Sequence, residues 1–184
     1  IPAARPPACS AILQSIPKVL QSGKVAFADF YRGNDQRIYL AILVPIFDEP
    51  DGRRPLGVVG LGIGPHTYLY PLLSGGPTPS RTAEMLLVRR DGQDGLYLSE
   101  LRYQTNAALQ LRFPMTRSST PAVQAALGKE RVMKGLDYRD VPVLAVTRRI
   151  PDSPWFLVAK MDEQEIYAPV RERGLILSII LAAL

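Results

Sequence analysis

The residues that most clearly suggest a chemical function are three closely spaced glycines in the first half of the sequence. Gly60, Gly62 and Gly64 follow an apolar run, and their spacing matches the start of a dinucleotide-binding fingerprint, in which backbone amides meet a pyrophosphate. The position of the third fingerprint glycine is occupied by Pro65, and Pro71 would interrupt the helix that should follow. Small residues in a strand packed under a helix are the other interpretation. A nucleotide-dependent oxidoreductase using this glycine run is therefore kept as an alternative hypothesis.

Other catalytic or metal-binding sets are incomplete. Ser15 and Lys18 match a Ser-x-x-Lys nucleophile pattern, but the partner motifs of that pattern do not occur in the sequence. Cys9 and His66 are the only cysteine and the only histidine, whereas a zinc site normally draws on several such ligands. The sequence therefore predicts no catalytic residue, no metal site and no cofactor for this chain.

Charge and composition describe an ordinary globular chain. The 184 residues are 47% hydrophobic and 21% charged, with a formal net charge of +5, and this balance argues against wholesale disorder. The basic residues are spread along the sequence and have acidic neighbours, so that no basic stripe with interleaved aromatic residues is formed. We therefore expect no nucleic-acid partner.

The elements that would position any site are mostly strands. Nine stretches are rich in β-branched and aromatic residues and are bounded by turn-forming residues; they are residues 25–31, 37–47, 56–63, 84–90, 95–102, 109–113, 132–136, 141–150 and 155–161. Several are apolar on both faces, which indicates a sheet that is covered on both sides. Helices are predicted at residues 12–22, 66–73 and 122–127, and from residue 163 onward. The predicted fold class is α+β.

An internal repeat organises these elements. Twice, a helix ends in Gly-Lys and is followed by a strand, an Asp/Tyr/Arg cluster, an apolar strand, a proline-bounded turn and a last strand. The clusters and turns are Asp29–Arg32 with residues 50–55, and Asp137–Arg139 with residues 151–154. Because the whole order of elements occurs twice along the chain, the sequence predicts two modules of the same kind.

The two modules differ before the helix. In the second, two strands precede it and are joined by an Asp-Gly hairpin turn at residue 91, which gives the strand-strand-helix-strand-strand-strand order of a PAS-like module. We expect antiparallel sheets flanked by helices, in two tandem modules of which the first is incomplete at its N-terminus. The predicted boundaries are residues 1–80 for the first, membrane-distal module with its linker, 81–162 for the second, membrane-proximal module, and 163–184 for an exit helix.

A PAS-like module offers a concavity between its sheet and the segment that crosses the sheet, here residues 103–130. The polar side chains predicted to line it are Tyr97, Arg102, Arg112, Tyr138 and Arg139. An arginine paired with a tyrosine suits a small carboxylate or an amino acid, because the guanidinium fork grips two oxygens and the phenol adds a directed hydrogen bond. The alternative is that the arginines are surface residues over apolar stems and that Tyr138 is packed in a turn.

Four local sequences carry a resemblance to a known family. They are Glu84–Gly92, Leu98–Arg102, Gly135–Arg139 and Pro154–Asp162, and with the order of elements they resemble the double-Cache (PDC, PAS-like) sensor regions of bacterial sensor histidine kinases and diguanylate cyclases. The resemblance covers roughly residues 20–184.

The resemblance implies a periplasmic ligand-sensing region of an inner-membrane receptor, dimeric, most simply a histidine kinase, with a diguanylate cyclase or chemoreceptor as alternatives. Amino-acid-binding members of the group hold their ligand with a Tyr, Arg, Trp and Asp constellation. This sequence departs from that pattern, since Trp155 follows a proline at the start of the last strand, and the departure leaves the ligand open.

The C-terminal residues complete the prediction. Asp162 and Glu165 have the spacing of a capping box at the start of a helix. The eleven residues 174–184 carry no charge and are apolar on every face, which indicates the first part of a transmembrane helix, although a full span needs about 20 residues. A helix buried in the core of the domain is the alternative. The chain is thus expected to contact the membrane through its C-terminal helix.

Overall fold

The computed structural model describes residues 10–48, 55–75, 80–170 and 173, and these residues fall into two compact units. The first unit is Ile1–Pro71 and the second is Leu72–Leu184. A short helix, α2 (Leu69–Gly75), contains the boundary.

The first unit is one helix followed by a three-stranded sheet. Helix α1 (Ser10–Ser22) precedes β1 (Ala26–Arg32), β2 (Ile38–Phe47) and β3 (Pro55–Ile63), and the strands are antiparallel in the order β1-β2-β3. The helix ends before Gly23, whose φ of 62° lies in the left-handed region that glycine adopts without strain. The buried core of this unit contains Val19, Ala28, Tyr31, Ala41 and Leu43.

The second unit contains a six-stranded antiparallel sheet. Its elements are β4 (Glu84–Asp91), β5 (Asp94–Tyr97), β6 (Arg112–Pro114), α3 (Pro121–Ala126), β7 (Val132–Leu136), β8 (Pro142–Arg149), β9 (Trp155–Asp162) and a helix at residues 163–170, here α4. The strands lie in the order β6-β5-β4-β9-β8-β7. The last strand of the unit is therefore central, between β4 and β8.

The core of the second unit lies between this sheet and the segment that crosses it. Helix α3 packs on β4, β8 and β9, and all six of its residues are buried. The core cluster includes Leu86, Val88, Tyr97, Phe156 and Val158. A strand that is buried on both faces needs few polar residues, which explains why β4 and β9 alternate so weakly in the sequence.

The predicted fold class and order of elements are confirmed. Strands β4 and β5 precede α3, and β7, β8 and β9 follow it, in the PAS-like order. In the first unit β3 pairs with β2 as β9 pairs with β8. Within the described residues of the first unit, nothing corresponds to β4 and β5 on the other edge of β3.

Two predicted strands are shorter than expected. The strand predicted at residues 109–113 is limited to β6 (Arg112–Pro114). The pattern at residues 95–102 predicts a single strand, but β5 ends at Tyr97. The chain then turns, and Asn106 and Leu109 have positive φ angles. Leu98 and Leu101 are nevertheless buried, so the apolar content that suggested a strand belongs to a buried loop.

Candidate functional site

The most unusual feature of the second unit is a group of charged side chains inside its core. The ammonium of Lys160 on β9 lies 2.9 Å from Oε2 of Glu84 on β4 and 2.7 Å from Oδ2 of Asp137 after β7. The side chains of all three residues are at most 4% exposed. A buried ammonium needs such partners, because its transfer out of water is costly when it is unpaired.

Strand pairing brings these three residues together. Glu84 and Lys160 are direct cross-strand partners in the antiparallel register of β4 and β9, so their side chains leave the same face of the sheet. Asp137 begins the turn between β7 and β8, where its Oδ1 accepts the backbone N–H groups of Arg139 and Val141. Burial alone would raise the pKa of Asp137, but hydrogen bonds from Arg139 and Lys160 oppose it and bring the pKa below its ordinary value.

Two tyrosines border the charged group. Tyr138 donates from its hydroxyl to Oε2 of Glu84 at 2.9 Å, and its ring lies 4.8 Å from the ammonium of Lys160. Its ring meets that of Tyr97 edge to face, with the centroids 6.2 Å apart. Burial is the main cause that raises the pKa of both phenols, with the neighbouring carboxylates acting in the same direction. Both hydroxyls therefore stay protonated, and that of Tyr138 acts as a hydrogen-bond donor.

A small cavity adjoins this group. Its volume is about 10 Å³, which is the space of about one water molecule. Its polar lining comes from Tyr97, Thr120, Asp137, Tyr138 and Lys160. Oγ1 of Thr120 is buried and has no hydrogen-bond partner in the described part of the chain. A water molecule bound there would satisfy the threonine hydroxyl.

The five predicted binding residues are only partly brought together. Tyr97 and Tyr138 line the cavity. The guanidinium of Arg139 lies beside it, bound to Asp137 and Asp162 and 4.2 Å from the ring centroid of Tyr103.

Arg102 and Arg112 do not line the cavity. Arg102 donates from Nη1 to the backbone carbonyl of Ala83 at 2.8 Å, and Arg112 forms an ion pair with Asp91 at the β4–β5 hairpin. All three arginines therefore already have acceptors.

Sequence reasoning missed the two residues at the centre of the group. Glu84 and Lys160 lie within two of the local sequences that carry the family resemblance, but they are not among the predicted binding residues. A signal was present in the sequence, because Glu84 and Lys160 each adjoin a run of apolar residues, 85–88 in β4 and 155–159 in β9. Charged residues are almost never fully buried unless they are paired, so two such strands predict a buried ion pair.

A second polar cluster joins the segment before β4 to helix α4. The carboxylate of Glu165 accepts hydrogen bonds from the hydroxyl of Ser80 at 2.9 Å, from the backbone N–H groups of Arg81 and Thr82 at 3.1 and 2.9 Å, and from the hydroxyl of Thr82. The Thr82 hydroxyl is the main cause that lowers the pKa of Glu165, to about 2. We call Glu165 with residues 80–82 the helix clasp.

The helix clasp corrects the predicted capping box. In a capping box the Glu165 carboxylate would accept the backbone N–H of Asp162 directly. Instead that N–H donates to the hydroxyl oxygen of Thr82 at 3.2 Å, and the same hydroxyl donates to Glu165. Thr82 therefore links the backbone N–H of Asp162 to the Glu165 carboxylate at the start of the helix. Since Thr82 is distant in sequence from both residues, a local sequence pattern could not reveal this link.

The glycine run does not form a dinucleotide cradle. Gly60 and Gly62 lie inside β3 and pair with Leu43 and Ala41 of the antiparallel neighbour β2. The fingerprint requires a tight turn between a parallel strand and a helix, so the oxidoreductase alternative is wrong in its structural premise. Among the described residues, no group of three or more His, Cys, Asp or Glu side chains could hold a metal ion.

The membrane prediction falls outside the described part of the chain. Residues 174–184 are not described. Of the helices that are described, none has the length and apolar character needed to cross a membrane.

Comparison with known proteins identifies relatives of the fold. No family model matches the sequence, and no curated protein matches it significantly. Solved structures do match the fold of this chain. The extracellular domain of mmHK1S-Z3, designated a histidine kinase, has a TM-score of 0.61 and 13% identity over 86% of this chain and 56% of that chain.

Two further matches are receptor domains. The periplasmic sensory domain of the Campylobacter jejuni chemoreceptor Tlp1 has a TM-score of 0.57 and 15% identity, over 88% of this chain and 57% of that chain. The ligand-binding domain of Mlp24 with asparagine has a TM-score of 0.55 and 13% identity, over 92% of this chain and 63% of that chain. This chain therefore spans less than two thirds of each structure.

These likenesses establish the fold. The chain has the architecture of the Cache-type, PAS-like extracellular and periplasmic sensor domains, as the sequence resemblance predicted. In this chain the last strand, β9, leads directly into helix α4.

Proposed function

We propose that this chain is the extracytoplasmic ligand-sensing region of a transmembrane receptor, most simply a dimeric sensor histidine kinase of the bacterial inner membrane. The alternative is that the receptor is a chemoreceptor or a diguanylate cyclase. The chain itself binds the ligand and transmits the signal to the helix that follows, and it catalyses no reaction.

The observation that carries the proposal is the connection between the sheet and helix α4. The central strand β9 ends at Asp162 and the helix begins at residue 163 without a linker. The helix clasp ties the same helix turn to the residues that lead into β4, the other central strand. A displacement of β4 against β9 therefore acts on the helix at two points.

The energy for signalling would come from ligand affinity. A ligand shifts the equilibrium between two states of a receptor only by the difference between its affinities for them. The proposed ligand is a small carboxylate or amino acid, held by some of Tyr97, Arg102, Arg112, Tyr138 and Arg139. Since the cavity has room for one water molecule, binding there requires the segment 103–130 to move away from the sheet.

A thermal-shift screen of the purified chain tests the ligand-sensing function. We expect amino acids or small organic acids to raise the unfolding midpoint, and NAD or FAD to leave it unchanged. Tyr97→Phe should keep its stability, because no other group in the described residues pairs with this hydroxyl, and should lose the response. Tyr68→Phe changes a side chain that is 74% exposed and serves as the control. Stabilisation by NAD or FAD alone would contradict the proposal.

The coding sequence beyond Leu184 tests the receptor assignment independently. We expect it to complete an apolar span of about 20 residues and to continue into a histidine kinase, cyclase or chemoreceptor signalling domain. A stop codon directly after Leu184 would overturn the assignment.

A further inference from the structure

The core of the second unit contains the elements of a recognition site for a primary ammonium ion. Two carboxylates, those of Glu84 and Asp137, lie 2.9 and 2.7 Å from one nitrogen, and the face of the Tyr138 ring lies 4.8 Å from it. Carboxylates and an aromatic face are the groups that bind cations in proteins. The nitrogen is the ammonium of Lys160, which belongs to the chain itself.

The site is held in shape by its surroundings. The second carboxylate oxygen of Glu84 accepts the backbone N–H of Arg102 at 2.7 Å, and the second oxygen of Asp137 accepts two backbone N–H groups of its own turn. Both carboxylates are therefore fixed by the backbone and would keep their positions if the lysine were shortened.

Formal charges also favour a cation at this position. The group of Glu84, Asp137, Asp162, Arg139 and Lys160 holds three carboxylates and two cations. Without Lys160 it would hold three negative charges and one positive charge.

We propose that Lys160 acts as the built-in ligand of this unit: its ammonium permanently fills a preformed amine-binding site, which would accept a small primary alkylammonium ion if the lysine were shortened. The second unit thereby keeps its occupied conformation without an external amine. An external amino acid could place its own ammonium at this position only by displacing the lysine. The proposal concerns the site itself and does not depend on the output of the receptor.

The test is chemical rescue of Lys160→Ala in the full chain. Alanine keeps the first side-chain carbon, so that n-propylammonium replaces the three missing carbons and the nitrogen. We expect the variant to unfold at a lower temperature than the wild type. Propylammonium at about ten times its Kd should then raise its unfolding midpoint by about 4 °C.

Matched probes and variants separate the amine site from a mere cavity. 1-Propanol has a similar size without the charge, and tetramethylammonium has the charge without an N–H donor; neither should rescue the variant. Wild type and Lys134→Ala, which removes a lysine that is 59% exposed and paired with Glu163, should not respond to propylammonium. Equal rescue by 1-propanol, or an equal response of the wild type, would overturn the proposal.

If Lys160→Ala does not fold alone, the same comparison is made during refolding. Recovery of folded protein with propylammonium but not with 1-propanol supports the proposal. Failure of propylammonium to restore folding, or recovery with both additives, overturns it.

Discussion

At the scale of single residues, the second unit is organised around a charge that hydrophobic patterning would exclude from a core. Lys160 is surrounded by Glu84, Asp137 and Tyr138, and each of these has further hydrogen bonds that hold it in place. Such a group adds little to net stability compared with apolar residues, because desolvation offsets most of the attraction. Removal of one charged member is nevertheless costly, because a buried partner then loses a counter-ion.

Lys160→Met tests this asymmetry. Methionine fills a similar volume and leaves Glu84 buried without a cation, while Asp137 keeps only Arg139, so we expect the free energy of unfolding to fall by about 3–5 kcal/mol. Urea unfolding followed by circular dichroism measures the change. Lys134→Met, which removes an exposed ion pair with Glu163, should cost less than about 1 kcal/mol. Equal costs for the two variants would show that burial of the charge is unimportant.

The helix clasp predicts a characteristic pH dependence. The pKa of Glu165 is lowered from an ordinary value of 4.5 to about 2, chiefly by the hydroxyl of Thr82. A lowered carboxyl pKa stabilises the folded state fully above 4.5, and this stabilisation is lost as the pH falls from 4.5 towards 2. Glu165→Gln should therefore be less stable at pH 7 and should lose less stability than the wild type across that pH window.

Thermal unfolding of both proteins at several pH values between 7 and 2 measures this difference. Glu163→Gln is the matched control, because Glu163 lies on the same helix turn and forms an ion pair with the exposed Lys134. A Glu165→Gln curve that runs parallel to the wild-type curve through the window would contradict the role of the clasp.

At the scale of elements, the position of α3 on the sheet depends on a close approach to β7. A side-chain carbon added at Gly135 of β7 would lie 2.2 Å from the carbonyl oxygen of Ser119 and 2.9 Å from Cδ of Pro121, the first residue of α3. The same carbonyl accepts the backbone N–H of Leu136 at 3.0 Å. Any side chain at residue 135 must therefore push the start of α3 away from the strand.

Gly135→Ala should consequently destabilise the second unit by about 1–3 kcal/mol, as overpacking of a filled core does. Gly57→Ala in β3 is the control, because an added carbon there meets no atom within 4 Å, and it should leave stability nearly unchanged. The free energy of unfolding in urea compares the two. No loss in Gly135→Ala would mean that α3 can shift without cost.

At the scale of the whole molecule, the chain consists of two units that each bury a core of their own. The boundary between the units lies after Pro71, whereas the predicted limit of the first module with its linker is residue 80. The domain limits at residues 80 and 162 and the membrane role of residues 174–184 stay predictions. The described helix α4 is held by the clasp and by Lys134, which pairs with Glu163 and lies 5.1 Å from the ring centroid of Tyr167.

Removal of residues 174–184 tests the membrane prediction. A chain that ends at Arg173 should remain monodisperse in size-exclusion chromatography and keep the unfolding midpoint of the wild type, because an exit helix needs its tail for the bilayer and not for the core. Aggregation or a lowered midpoint would mean that the apolar tail packs in the domain, and the transmembrane assignment would fail.

Much of the fold was accessible from the sequence. The nine predicted strands and the helices correspond to observed elements, and the repeat predicted their order, because β-branched content, turn residues and helix ends are properties of neighbouring residues. Local patterns also explain why the strand predicted at residues 95–102 is too long. Leu98 and Leu101 have a strand-like pattern, but they lie in a buried loop after β5.

The candidate site was accessible only in part. Tyr97 and Tyr138 were predicted and do line the cavity, whereas Glu84 and Lys160 were overlooked and Arg112 lies at the β4–β5 hairpin. Recognition of a site requires knowledge of which strands are neighbours, and that knowledge is absent from local patterns.

The sequence by itself thus determined an α+β chain of two PAS-like modules, because propensity, turn chemistry and the repeated order act over short distances along the chain. Only the tertiary structure decided that β9 lies beside β4 in the register that pairs Lys160 with Glu84, and that Thr82 stands between Asp162 and Glu165. Register between distant strands depends on the packing of the whole sheet, and a shift of one residue would turn the lysine to the opposite face.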